Sequence, residues 1–185
     1  MAAIDREPIE ERAERVLAAL PAYLWAENKP PIPIDDIADS YFGLHVCERS
    51  PQEMREAPGA PELGPGDTLS GLLLPSLGEI WVNADEAEKW PPRRRFTIAH
   101  EIGHHVMHRG QQPLFCRKKV VQEEEATPDD APDIEEEASI FAASLLMPRE
   151  LMKTYWERCG KRHDAMCKIF KASGAAMGKR LHTAL

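Results

Sequence analysis

The stretch Arg95-Phe-Thr-Ile-Ala-His-Glu-Ile-Gly-His-His-Val-Met-His108 contains the pattern H-E-x-x-H at His100, Glu101 and His104. On an α-helix, residues four apart lie on one face, so the two imidazoles can hold one metal ion. Glu101 follows directly, where its carboxylate can reach a water molecule on that metal. A chance match is the alternative, but the apolar residues around the pattern suit a helix packed in a core. The stretch therefore predicts a buried helix that carries a metal site.

The remaining positions on this helix restrict the kind of site. His108 lies four residues after His104, so these two form an alternative pair, although no carboxylate between them could act as a base. A third histidine at the spacing of the metzincins would fall at Gly110, which excludes that class. Gly103 weakens a helix relative to alanine, and we expect it to allow close approach of another helix that carries a third ligand.

A catalytic zinc ion needs a third protein ligand and an open position for water. The candidates lie in Glu135-Glu-Glu-Ala-Ser-Ile-Phe-Ala-Ala-Ser-Leu-Leu-Met-Pro148. Glu135 borders the apolar stripe of this predicted helix, where a carboxylate is costly unless it is paired or bound to metal. Glu135 is therefore the preferred third ligand, and Glu137, on the other border, is the alternative. A solvated face accounts for Glu136, and Ser139 is placed to support a ligand.

Composition indicates a folded globular protein. The chain has 185 residues, of which 43% are hydrophobic and 29% charged, which suits one domain. Its four cysteines form no C-x-x-C pair, and the chain shows neither an apolar leader nor an apolar run of membrane-spanning length. We therefore expect a reduced, cytoplasmic protein with no membrane contact.

Charge is unevenly distributed along the chain. The net charge is −8, which argues against direct DNA binding. The segment from Arg149 to Leu185 holds nine basic and three acidic residues, a local +6, whereas the preceding 148 residues hold 14 basic and 28 acidic residues, a local −14. We interpret the basic segment as a solvated helical face, and docking on the acidic body is the alternative.

Periodicity predicts an α+β fold, mostly helical with a small antiparallel sheet. The chain is expected to end in a segment that resembles helix-turn-helix. Helices are predicted at 9–25, 35–41, 96–109, 134–147, 164–171 and 175–185, strands at 44–47, 69–74 and 79–83, and surface loops at 50–67 and 122–133. We expect a substrate backbone to pair with an exposed edge of the hairpin at 69–83.

These motifs resemble the ImmA/IrrE family of zinc metallo-endopeptidases. The resemblance is carried by Arg94-Arg-Phe-Thr-Ile-Ala-His-Glu-Ile-Gly-His104 and by residues 135–148, with weaker matches at Pro33-Ile-Asp-Asp-Ile-Ala, Leu69-Ser-Gly-Leu, Ile80-Trp-Val-Asn and Phe170–Leu181. It covers nearly the whole chain. Ser139 departs from the family pattern, which usually has asparagine or aspartate there, so the support of a ligand could differ.

The resemblance implies a minimal zincin-like, gluzincin-type peptidase domain at 1–148, followed by a helical segment at 149–185 packed on it as a single structural unit. It implies Zn²⁺ held by His100, His104 and a glutamate, with Glu101 as the base. It also implies a regulatory role in mobile elements or phage, with an Xre/Cro-type transcriptional regulator as substrate. We expect zinc-activated water to attack the peptide bond of that regulator. The alternative is a non-catalytic metal-binding regulator or antitoxin-like partner that binds a repressor or DNA through its C-terminal helices.

Overall fold

In the computed structural model, one long helix packs on a small sheet and is covered by further helices. The structure describes residues 6–58, 60, 63, 67–108, the backbone of 115–118, and 134–185. The helices are α1 (Glu7–Ala18), α2 (Ile34–Asp36), which continues into a π-helical turn (Ile37–Tyr41), α3 (Pro51–Arg55), α4 (Ala84–Lys89), α5 (Pro91–Met107), α6 (Ile134–Leu146), α7 (Arg149–Arg158), α8 (His163–Phe170) and α9 (Gly174–Ala184). The strands are β1 (His45–Arg49), β2 (Thr68–Leu74), β3 (Glu79–Asn83) and β4 (Phe115–Lys118).

The sheet is mixed, with strand order β1-β3-β2-β4. The predicted hairpin is present as β2 and β3, which pair antiparallel, but β1 pairs with β3 in parallel. The prediction of a purely antiparallel sheet was therefore wrong. The reason is that the chain leaves β1 through α3 and returns through β2 before β3 is added next to β1, so β1 and β3 run in the same direction.

Both hairpin strands are interior strands. β3 lies between β1 and β2, and β2 lies between β3 and β4. A substrate segment cannot pair with an edge of this hairpin, so that prediction was also wrong. The strand β4, which the sequence analysis did not predict, covers the edge of β2.

The two faces of the sheet pack against different helices. Leu73, Ile80 and Val82 belong to the main core with α5 and α6. Leu72 and Leu74 face the other way, into a smaller cluster with Met54 of α3. The sequence analysis predicted a loop at 50–67, whereas the structure has helix α3 there, which begins at a capping box formed by Ser50 and Glu53. The spacing S-x-x-E carried that signal.

Helices α5 and α6 pack closely against each other at Gly103. A Cβ atom on Gly103 would lie 3.2 Å from both Cα and O of Ala138 and 3.2 Å from Cδ1 of Phe141. The glycine therefore lets the two backbones approach, as expected from the sequence. The first helix is shorter than predicted: α1 ends at Ala18, ahead of Pro21, whose missing N–H does not support a continuing helix.

The basic C-terminal segment docks on the body through two arginines. Arg180 is buried in α9, where Nη1 lies 2.7 Å from Oε1 of Glu10 and Nε donates to the carbonyl of Met147. Arg149 lies 3.0 Å from Oε2 of Glu10. The prediction of a solvated face was thus wrong for Arg180, because a buried carboxylate on α1 requires positive partners. The side chain of Arg149 remains 42% exposed.

Helices α8 and α9 correspond to the last two predicted helices, and their helix-turn-helix character stays a prediction, as does a domain division after residue 148. Within the described ranges, no helix combines the length and apolar character that a membrane span requires. The predicted loop at 122–133 lies outside the described residues, as does residue 109, the last of the predicted motif helix.

Candidate metal centre

Three side chains from α5 and α6 converge on one point. His100 and His104 stand one turn apart on α5, and their Nε2 atoms are 3.0 Å apart. Glu135, in the first turn of α6, lies 3.3 Å from His100 Nε2 through Oε2 and 3.2 Å from His104 Nε2 through Oε1. Ligand atoms of the three residues all lie within 4.8 Å of one another. The structure therefore brings together the three residues that the sequence analysis selected.

The donor set and its spacing fit a zinc ion. Zinc–ligand distances of about 2.0–2.2 Å place tetrahedral ligand atoms about 3.3–3.6 Å apart. The three observed separations, 3.0, 3.3 and 3.2 Å, lie close to that range. Two imidazole nitrogens and one carboxylate also match the His₂Glu ligand set of catalytic zinc sites, which leaves a fourth position for water.

Glu135 and Glu137 occupy different environments, which separates the two candidates for the third ligand. Burial alone would raise the pKa of Glu135, but hydrogen bonds and charge interactions with His100 and His104 outweigh burial and lower the pKa to about 2. Its side chain is 45% exposed, so the site opens to solvent beside it. Glu137 instead places Oε2 3.0 Å from Nε2 of His108. It contacts the helix end and not the point of convergence.

Glu101 is fully buried next to this point. Burial, followed by the negative charge of Glu135, raises the pKa of its carboxyl well above the ordinary value, and the backbone N–H of Leu73 opposes this only in part. Among the described residues, neither carboxylate oxygen has a partner at hydrogen-bond geometry. The Leu73 N–H thus acts as a nearby dipole. A buried carboxylate without a partner is costly, which indicates a site built for a reacting group.

The second nitrogen of each histidine also has a contact. Nδ1 of His100 lies 3.3 Å from Oγ of Ser139, as expected from the position of Ser139 on α6. Nδ1 of His104 lies 3.0 Å from Nδ1 of His108. The sequence analysis weighed His108 only as an alternative ligand, whereas the structure places it behind His104. The helical spacing of four residues carried this signal.

Comparison with known proteins supports a peptidase-type domain. A sequence model of the family described as the IrrE N-terminal-like domain, peptidase M78, matches residues 40–182.

The chain belongs to this family.

The match confirms the resemblance noted from the sequence. A solved Mycobacterium tuberculosis transcriptional regulator shares the fold, with 15% sequence identity and a TM-score of 0.53. The comparison covers 95% of this chain and 46% of the regulator, so the chain spans about half of that protein. No curated protein matches the chain.

The sequence analysis missed Gly71, which faces the family motif from β2. A Cβ atom there would lie 2.3 Å from Cγ2 of Thr97 and 2.6 Å from Oε1 of Glu101. Any larger residue would displace Glu101 or separate α5 from the sheet. A glycine inside a predicted strand is a signal of close approach, and the sequence S-G-L carried it.

We expect the substitution Gly71→Ala to lower the free energy of unfolding by about 1–3 kcal/mol, the usual cost of overpacking. The matched control is Gly178→Ala on α9, where a Cβ would meet only Nε2 of His163, at 3.9 Å. The control should gain about 0.5–1 kcal/mol through helix propensity. Urea denaturation at neutral pH measures both, and equal stability of the two variants would contradict the close approach.

A cleft of about 720 Å³ opens beside the converging side chains. Ser139 and Thr97 line its inner end, and these residues border His100 and Glu101 respectively. Apolar side chains form much of its wall, including Phe96, Ile140, Ala143 and Leu146. None of His100, Glu101, His104 and Glu135 lines this cleft, which borders their site through Thr97 and Ser139.

Proposed function

We propose that this protein is a zinc-dependent endopeptidase that cleaves a regulatory protein. The observation that carries the proposal is the convergence of His100, His104 and Glu135 beside the buried carboxylate of Glu101. Membership in a peptidase family gives this arrangement its reaction class. The geometry serves hydrolysis because a candidate cation site and a base lie together, and a cleft borders them through Thr97 and Ser139.

His100 Nε2, His104 Nε2 and a carboxylate oxygen of Glu135 would hold the metal. A bound zinc ion lowers the pKa of water toward neutrality and polarises a carbonyl group. Glu101 accepts a proton from the attacking water at a carboxylate oxygen and returns it to the leaving amide nitrogen. The burial of Glu101 suits this role, because a carboxylate without hydrogen-bond partners gains by accepting a proton.

The cleft beside the site favours a peptide as substrate. Its wall is mainly apolar, and it borders the site through Thr97 of α5 and Ser139 of α6. An apolar side chain of an extended segment would bury surface in the cleft and bring the adjacent peptide bond to Glu101. Binding in the cleft would orient the substrate without β-strand pairing. Pairing with the hairpin is ruled out because β2 and β3 are both interior strands.

The substrate that we propose is an Xre-type transcriptional regulator in the cytoplasm. The sequence resemblance to the ImmA/IrrE family supports this choice. The related solved structure is itself named a transcriptional regulator, which links this fold to regulation.

That name also favours a second candidate, a non-catalytic regulator that binds a repressor without cutting it. Glu101 discriminates between the two, because a purely binding protein has no use for a buried carboxylate that lacks partners. The second candidate predicts a stable complex in which the partner stays intact.

The proposal is tested by incubating the zinc-loaded protein with an Xre-type regulator and analysing the products by mass spectrometry. We expect two fragments from one cut, loss of cleavage after treatment with a chelator, and recovery when Zn²⁺ is added back. A zinc-loaded protein that binds the regulator and leaves it intact would establish the non-catalytic candidate.

A further inference from the structure

A buried pair of side chains lies behind His104, away from the point of convergence. His104 Nδ1 and His108 Nδ1 are 3.0 Å apart, and His108 Nε2 lies 3.0 Å from Oε2 of Glu137. We infer that His108 and Glu137 are positioning residues, which hold His104 in the tautomer that presents a bare Nε2 to a metal ion. The inference rests on the metal site of the proposed function.

The hydrogen-bond chain has a direction that follows from its last member. An ionised carboxylate only accepts, so His108 Nε2 carries the proton toward Glu137. A neutral His108 then has a bare Nδ1, which accepts a hydrogen bond from Nδ1–H of His104. With its proton on Nδ1, His104 has a free lone pair on Nε2, the atom that faces His100 and Glu135.

The hydrogen bonds from His104 through His108 to Glu137 are strengthened by burial. The side chains of His104 and His108 are almost completely shielded from solvent, and Glu137 is mostly shielded. Hydrogen bonds that end on a charged group in a low-dielectric setting are stronger and more directional than those exposed to water. An imidazole that donates to an anion-supported partner is also a more basic ligand.

The two histidine ligands have unequal support. Among the residues that the structure describes, Nδ1 of His100 meets the neutral hydroxyl of Ser139, at 3.3 Å. Nδ1 of His104 instead contacts His108, which in turn contacts the carboxylate of Glu137. Loss of the His108–Glu137 chain should therefore lower metal affinity more than loss of the Ser139 hydroxyl.

The pair also joins the two helices that carry the site. His108 is the C-cap of α5, and Glu137 lies two residues after Glu135 in the first turn of α6. A purely structural role would lower stability, so the test has to separate metal affinity from stability. Leu145→Ala is the matched control, because Leu145 is fully buried in the same helix but belongs to the apolar core.

The experiment measures Zn²⁺ affinity of the full chain by competition with a chromophoric chelator at pH 7.5, and apoprotein stability by urea denaturation. We expect His108→Phe and Glu137→Ala to weaken zinc binding by roughly 10- to 100-fold. Glu137→Gln, which can still accept a hydrogen bond, should recover part of that loss. Leu145→Ala should be destabilised and bind zinc like the wild type.

Wild-type zinc affinity in His108→Phe and Glu137→Ala would overturn the inference, and so would equal losses of zinc affinity in these variants and in Leu145→Ala. Failure of the proposed function has a different signature. If the wild-type protein binds zinc but cleaves no regulator, the endopeptidase proposal is wrong. The ranking of zinc affinities among the variants still tests the role of His108 and Glu137.

Discussion

Replacing Glu101 with glutamine is expected to lower kcat for regulator cleavage by roughly 10²- to 10⁴-fold, the usual contribution of a positioned base. Glutamine has nearly the same shape, so Gly71 and Thr97 can pack against it as before. It cannot accept the proton of the attacking water. Zinc affinity should stay near that of the wild type, because Glu101 is not among the three converging residues.

Single-turnover cleavage and chelator competition measure the two properties of the Glu101→Gln variant separately. Glu150→Gln is the matched control, since Glu150 is an exposed glutamate beside Lys153 on α7 and lies outside the cleft. The control should cleave at the wild-type rate. If the Glu101→Gln variant cleaved as fast as the control, water activation by Glu101 would have to be abandoned.

Replacing Arg180 with methionine is expected to lower the free energy of unfolding by about 3–5 kcal/mol, the usual cost of breaking a buried ion pair. Glu10 and Arg180 are both almost completely buried, and their closest atoms are 2.7 Å apart. In the variant, Arg149 is the remaining basic partner of Glu10 among the described residues. The carbonyl of Met147 also loses its donor, Nε of Arg180. Lys179→Met, at the exposed neighbouring position on α9, should change stability by less than about 0.5 kcal/mol.

The pH dependence of this contribution has a defined sign. Burial raises the pKa of Glu10, but hydrogen bonds and charge interactions with Arg180 and Arg149 outweigh burial and lower the pKa below the ordinary value of 4.5. The stabilisation is therefore fully present above about pH 4.5 and is lost as the pH falls through the lower pKa of the folded state. Urea denaturation from pH 7 to pH 3 should show the wild type and the Arg180→Met variant converging in stability at the acid end. A difference in stability that stays constant over this range would exclude Glu10 as the titrating group.

Much of the local structure followed from the sequence. The helical spacing of His100, Glu101 and His104 needed no tertiary information, because four residues make about one turn wherever the helix lies. The β2–β3 hairpin was also predicted from local sequence, namely its two apolar segments and the turn residues between them. The position of Glu135 at the border of the α6 stripe made it the preferred third ligand, with Glu137 left as the alternative.

Other features depend on contacts between residues distant in sequence. The parallel pairing of β1 with β3 and the cover of β2 by β4 follow from the path of the chain, and no spacing in the strands encodes them. The capture of Arg180 by Glu10 joins residues 170 positions apart. Charge counting placed Arg180 on a solvated face, because a count of charges carries no information about burial.

The sequence by itself determined that two histidines and a carboxylate share one helix face, because covalent spacing and helix geometry are local properties. Only the tertiary structure shows that Glu135 lies at the two histidines, and that His108 and Glu137 lie behind His104. Both depend on how closely α6 lies against α5, and that distance is set by packing at Gly103, where a hydrogen atom in place of a side chain lets the two backbones meet.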